Sequence, residues 1–418
     1  MGLVDKFRFH FNLRVRPLIN TDQKRLFRLA KEDFPFAAVS HSEHLLRAIE
    51  WWRVSHAAVG GKGFPTKFNV LHSFGLGPSY PETTGYTLNT LLTLLRNRPF
   101  DFDERVVVQM LRQSFDWLLE IQFENGAWTG GHAALHNYGR PSIFNTGQIL
   151  LGMVDCLECF RERSVPMDGF EDIDLDLLED RCRKAAYFLR DEMEANGAFA
   201  TTHDYIGKPL TYYARSMYGA LRTGIVLGDA ALLDAIRPHY NWVLSKQENS
   251  GWINDWGFEP EWAVMHRIAY TLRGMVEAAI CFGDDRYFNL VKKGIDFLLK
   301  IDKKGFRYPN LIPSYVSREG KFRNEICPTG LSQLAIVIAK LPDVHLKEEY
   351  RMLFTHIVDE SKCFQTHGFK NALMNGVLPG SYPLEGKYKS YDLLEWATKF
   401  FTDSVLIQMG VPASEIKG

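Results

Sequence analysis

A turn signal, glycine followed at once or one residue later by an aromatic side chain, recurs at spaced intervals along the chain. It reads Gly63-Phe64, Gly126-Ala127-Trp128, Gly197-Ala198-Phe199, Gly251-Trp252, Gly305-Phe306 and Gly368-Phe369. The aromatic positions are 64, 71, 53, 54 and 63 residues apart, an interval that suits two helices and their connections. Glycine supplies the positive φ that ends a helix, and the aromatic plugs the turn into the core. The repeat therefore predicts six helical hairpins.

The two helices of each hairpin differ in composition. The segment before a turn is amphipathic, as in Phe115-Asp116-Trp117-Leu118-Leu119. The segment after it is apolar nearly all round, as in Gly147-Gln148-Ile149-Leu150-Leu151 and Leu331-Ser332-Gln333-Leu334-Ala335-Ile336. A helix apolar on every side is a buried one, so the second helix of each pair is the inner one. An open stack would need polar caps at both ends, and none is evident. The expectation is an all-α fold, an (α/α)6 toroid over residues 39–418 behind an N-terminal arm over 1–38. Within the arm, residues 7–16 alternate apolar and basic side chains from Phe7 to Arg16. That pattern reads as a strand or extended arm, which either docks on a protein or anionic membrane surface or packs along the toroid.

Trp117-Leu118-x-x-x-Gln122-x-x-x-Gly126-x-Trp128 resembles the repeat motif of the terpenoid cyclase and protein prenyltransferase superfamily. Trp242-Val243-x-x-x-Gln247-x-x-x-Gly251-Trp252 is a shorter copy. The resemblance implies the wider α/α-toroid group, which includes polysaccharide lyases, glycosidases and uronyl epimerase domains. Cyclase chemistry itself fits poorly: Asp172-Ile173-Asp174-Leu175-Asp176 lacks the adjacent acid pair such cyclases use. The zinc ligands of the prenyltransferases have no counterpart at the inner-helix starts.

In a closed toroid the six inner-helix starts converge at one end, where the positive ends of their dipoles suit an anionic ligand. His266, Tyr270 and Arg273 are spaced i, i+4, i+7 and share a helix face. Tyr213 and Arg215 come from the preceding inner helix, Asn145 and Gln148 from the one before it, and Glu82, Gln333 and Tyr391 from other starts. A uronate needs a cation for its carboxylate, a base and an acid. Arg273, Arg215, Asn145, Gln148, Gln333 and Tyr391 are thus expected to bind substrate, with His266, Tyr270, Tyr213 and Glu82 catalytic. Trp256 and Glu259 extend the binding set from the aromatic loop 252–262. The lyase and epimerase toroids use a similar set, as far as the resemblance implies.

The function expected is proton abstraction on an acidic glycan, by a lyase or epimerase. Two other readings stand beside it. Paired carboxylates among Glu82, Asp255, Glu259 and Glu261 would make a glycoside hydrolase. A non-catalytic glycan-binding scaffold, or a cyclase-like protein, would use the same toroid. The loop 376–388, rich in glycine, proline and aromatics, suits a pocket wall or a plain connector. No cofactor or metal is expected, since no phosphate loop or dinucleotide fingerprint occurs and Cys156-x-x-Cys159 has no matching partner motif. A net charge of −1 gives no general attraction to nucleic acid. No secretory leader is evident, so reduced thiols and a cytoplasmic location are expected.

Overall fold

The computed structural model describes residues 20–72, 75–131, 139–204 and 207–418. The alternating segment 7–16 lies outside them. Among the described residues, helix α1 (Thr21–Leu29) precedes six helical pairs: α2 (His41–Ala58) with α3 (Pro81–Asn97), α4 (Glu104–Glu120) with α5 (Ile143–Glu162), α6 (Leu175–Asp191) with α7 (Ala214–Leu227), α8 (Ala230–Ser245) with α9 (Met265–Phe282), α10 (Asp285–Leu299) with α11 (Pro328–Ala339), and α12 (Glu348–Lys362) with α13 (Glu395–Gln408).

Even-numbered α2 to α12 form the outer ring and odd-numbered α3 to α13 the inner one. Each inner helix packs on the next, and α13 closes on α3. Composition enforces the arrangement. Helix α4 buries one stripe, Val107, Met110, Leu111, Ser114, Phe115 and Leu118, whereas α5 buries almost every residue from Ile143 to Phe160. Helix α5 is long and apolar enough to cross a membrane, but its whole length is taken up in the inner ring. Small residues let the inner helices approach closely. A Cβ on Gly147 would stand 2.3 Å from the Ser216 carbonyl oxygen, and one on Gly85 would stand 2.3 Å from the Ile149 Cα.

The six turn glycines all have positive φ, between 72° and 97°, and the six aromatics after them are buried. The motif glutamine staples the turn. Gln122 Nε2 donates to the Gly126 carbonyl at 2.8 Å and to the Arg181 carbonyl on α6 at 3.1 Å. Gln247 does the same for α10 through the Leu290 carbonyl at 2.8 Å. In these two turns the motif therefore joins a hairpin to the next outer helix.

Among the described residues, five short strands lie in the loops at the starts of the inner helices: β1 (Lys67–Asn69), β2 (Trp262–Val264), β3 (Tyr315–Ser317), β4 (Leu378–Pro379) and β5 (Asp392–Leu394). β1 pairs antiparallel with β5, and β5 with β4; β2 pairs antiparallel with β3. Helix α1 packs across the same loops. Leu26 is buried, Asp22 accepts from the Lys370 and Asn371 amides at 3.1 and 2.8 Å, and Tyr382 donates to the Glu32 carbonyl at 2.8 Å. The described part of the arm thus packs along the ring.

Candidate active site

A cavity of about 490 Å³ opens where the inner helices begin. Its floor and walls come from the first turns of α3, α5, α9 and α13 and from the loops before α7 and α13. Phe144, Tyr212, Phe258, Tyr388 and Trp396 supply aromatic walls.

His266 occupies the first turn of α9. The Gln333 amide lies 2.9 Å from its Nδ1, and the Tyr270 ring packs on it with centroids 4.3 Å apart. Burial, then the Arg267 and Lys389 charges, hold the imidazole pKa well below its usual value. The ring is therefore neutral near pH 7, and its uncharged amide partner does nothing to stabilise the imidazolium. An amide carries both a donor and an acceptor, so Gln333 can serve either tautomer of His266.

Glu82 enters from α3, across the ring. It follows Pro81 at the start of the helix, where the dipole favours the anion. Burial outweighs this and a Tyr80 hydrogen bond, and raises its carboxyl to about 7. A buried acid poised near neutrality is suited to give or take a proton.

Three cations border the cavity. Lys67 is held by Asp392 at 2.8 Å. Arg267 stacks over Phe258, 3.1 Å from the ring centroid, and Lys389 lies 5.6 Å from the centre of a Trp396 ring. Neither Arg267 nor Lys389 has an ion-pair partner among the described residues, so both are available to an anionic ligand.

The structure brings His266, Tyr270 and Glu82 together and sets several expected residues elsewhere. Arg273 shares a face with His266, but seven residues along a helix is roughly 10 Å of depth. It bonds Glu277 at 2.8 Å and the Ile416 carbonyl at 2.6 Å, far down the ring. Arg215 and Gln148 are fully buried one turn beneath the cavity. Tyr213 turns away to Asp204, because the 3-10 turn Thr211–Tyr213 presents Tyr212 to the cavity instead. Asn145 ties its helix to the Thr129 carbonyl at 2.8 Å. Trp256 is a core residue, edge-on to Trp252 at 5.0 Å, and Phe258 takes the wall position. Tyr391 packs against Phe27 at 6.0 Å. Gln333 reaches the site only through His266.

The other carboxylates of loop 252–262 are tied down at the surface. Glu259 pairs with Lys387 at 2.9 Å, Asp255 with Lys246 at 2.9 Å and Glu261 with Arg318 at 3.7 Å. Sequence reasoning missed Arg267, Lys389, Tyr388, Tyr212, Phe258 and Trp396. Loop 376–388 had been marked as a candidate wall, and its end supplies Tyr388. Nothing in the pattern distinguished Arg267 from a helix-surface arginine.

No family model matches the chain, and no curated protein matches its sequence. Solved structures do. An unsaturated glucuronyl hydrolase specific for heparin superposes with a TM-score of 0.64 at 11% identity, covering 87% of this chain and 95% of its own. Cellobiose 2-epimerase from Bacillus thermoamylovorans gives 0.60 at 11% identity over 85% and 95%. A D-mannose isomerase gives 0.62 at 11% identity over 88% and 97%. The chain has the α/α-toroid fold. The resemblance read from the turn motif is therefore correct for architecture, and the shared fold extends through nearly the whole length of these sugar enzymes.

Proposed function

We propose that the chain is a carbohydrate-active enzyme that moves a proton at a carbon next to the carboxylate of a uronate-containing glycan, as an epimerase or a lyase. The observation that carries this reading is that His266 and Glu82, from opposite inner helices, line one cavity in which Arg267 and Lys389 have no ion-pair partner among the described residues. Proton abstraction next to a carboxylate needs that carboxylate neutralised, a base on one side and an acid within reach. Arg267 and Lys389 meet the first need, neutral His266 the second, and protonated Glu82 the third.

The low basicity of free His266 is part of the argument. Burial is the larger cause, and two nearby cations add to it. A bound carboxylate cancels them, so the imidazole becomes a stronger base once substrate is in place. The aromatic walls suit stacking on pyranose faces. The related folds bearing glucuronyl hydrolase, epimerase and isomerase names support a sugar substrate.

The test is solvent exchange. The purified protein is incubated in D2O with alginate, polygalacturonate and hyaluronan, and the sugar protons are followed by NMR. Deuterium entering next to the carboxylate marks epimerisation, and a new unsaturated product marks elimination. His266→Ala and Glu82→Gln should each lower the rate by roughly 100-fold or more while leaving the circular dichroism unchanged. Exchange that persists in His266→Ala would reject the assignment. A hydrolase is the second reading, favoured by Glu82 as a general acid near pH 7; it would release reducing ends with no deuterium incorporated.

A further inference from the structure

One turn below the cavity the inner helices contribute a second layer of polar side chains: Tyr86 from α3, Gln148 from α5, Arg215 from α7, Tyr270 from α9 and Lys399 from α13. Each follows a cavity residue of its helix, Glu82, Phe144, Tyr212, His266 or Trp396, by three or four positions. Helical periodicity therefore keeps it on the same, axis-facing side. Contacts across the ring agree. Lys399 and Arg215, on opposite helices, are close enough to repel each other, and Tyr86 and Tyr270, also opposite, face each other.

Arg215 has no hydrogen-bond partner for any of its three guanidinium nitrogens among the described residues, and neither end of the Gln148 amide has one. Both side chains are wholly buried. The nearby charges do not balance. Lys399 is bound by Asp403 at 2.7 Å, while Arg273 and Lys340 share Glu277, each at 2.8 Å. Asp403 and Glu277 thus serve Lys399, Arg273 and Lys340, of which burial lowers the two amines, Lys399 to about 8 and Lys340 to about 7. Arg215 is left with no carboxylate at ion-pair distance among the described residues. Glu82 and Glu395 are poor counterions, because burial raises their carboxyls to about 7 and about 8. A buried, unpaired charge with unmet hydrogen bonds is among the costliest arrangements in a core.

We propose that this layer binds one small monovalent anionic group on the ring axis, held by Arg215 and Lys399 with the Gln148 amide as a further donor. Two sources share that chemistry: a free halide ion, or the carboxylate of a sugar acid reaching past Tyr270. The site itself does not depend on the proton-transfer reading, since it follows from the charge imbalance below the cavity.

The experiment is a halide titration of the full chain. Protein held in sodium isethionate is titrated with sodium bromide at constant ionic strength while thermal unfolding is followed. Crystals soaked in bromide are examined for anomalous scattering. We expect a saturable rise in the unfolding midpoint of roughly 3 °C, a bromide peak between Arg215 and Lys399, and loss of the halide dependence in Arg215→Met. Gln148→Leu, which keeps the charges, should weaken bromide binding several-fold, so the proposal remains testable should Arg215→Met fail to fold. Added glucuronate that displaces the bromide peak identifies the carboxylate as the natural occupant, and co-occupancy identifies a free halide. No bromide peak, or a halide effect unchanged in the variants, overturns the site, even if solvent exchange at the cavity above is found.

Discussion

Gln333 sets its amide 2.9 Å from Nδ1 of His266, so the base of the cavity is fixed by an uncharged partner on the neighbouring inner helix. A carboxylate at that position would stabilise the imidazolium, and the amide does not. Burial keeps His266 neutral, and the pair orients it without fixing which of its nitrogens carries the proton.

Gln333→Glu is therefore expected to raise the His266 pKa by about one unit or more. The sign follows from the charge: an ionised carboxylate beside the ring favours the protonated form. Below the raised pKa the base is lost, so the acid limb of the kcat/KM profile should move to higher pH. Imidazole nitrogen shifts read by NMR across a pH series give the pKa directly. An acid limb that stays in place while the NMR pKa rises would show that His266 is not the base.

The two arginines of α9 should separate binding from stability. Arg267→Met removes a cation from the cavity wall, and KM for a uronate polymer should rise roughly 10-fold or more with the unfolding midpoint little changed. Arg273→Met leaves Glu277 with Lys340 alone and should cost on the order of 3 kcal/mol of stability, with KM preserved. Steady-state kinetics and denaturant titration on the same two proteins check both halves. A KM effect from Arg273→Met would return that residue to the binding site.

Glu395 lies fully buried at the start of α13, with Thr87 donating to it at 2.5 Å, and burial raises its carboxyl to about 8. The folded form holds this proton after the unfolded chain has released its own. Stability is therefore fully present below about pH 4.5 and falls as pH rises from there towards 8. Glu395→Gln should remove this loss. Its unfolding midpoint should match the wild type near pH 5 and exceed it near pH 8.5, measured by thermal melts across pH. Equal midpoints at both pH values would mean that Glu395 ionises freely in the fold.

The architecture was legible because the turns are local. A glycine needing positive φ and the aromatic that plugs the turn stand within two residues of each other, a stapling glutamine precedes them in two of the turns, and all six turns formed as read. The site was legible only in part. Helical spacing placed His266, Tyr270 and Arg273 on one face, but a face says nothing of depth, and Arg273 serves the far end of the ring. A 3-10 turn exchanged Tyr213 for Tyr212, a one-residue matter that periodicity does not resolve. Lys389 and Tyr388 reach the cavity through the path of a long loop, and Arg267 through its stacking on Phe258. Contacts of that kind depend on tertiary geometry.

The strand pair that joins Lys67–Asn69 to Asp392–Leu394 has a kinetic meaning. Neighbouring hairpins can assemble from nearby chain, but this seam joins residues more than three hundred positions apart, and closing so long a loop is entropically the slowest kind of contact to nucleate. The cavity wall carrying Lys389 and Trp396 is completed at the same seam. The molecule should thus acquire its helices first and its site last. Pulse-labelled hydrogen exchange during refolding would report late protection of the Val70 and Glu395 amides, which donate across the seam to the Tyr391 and Thr66 carbonyls, and early protection there would mean that the ring starts from its seam. Until the seam closes, the newly made chain is an open arc with apolar inner helices at both ends, which is the state most exposed to aggregation.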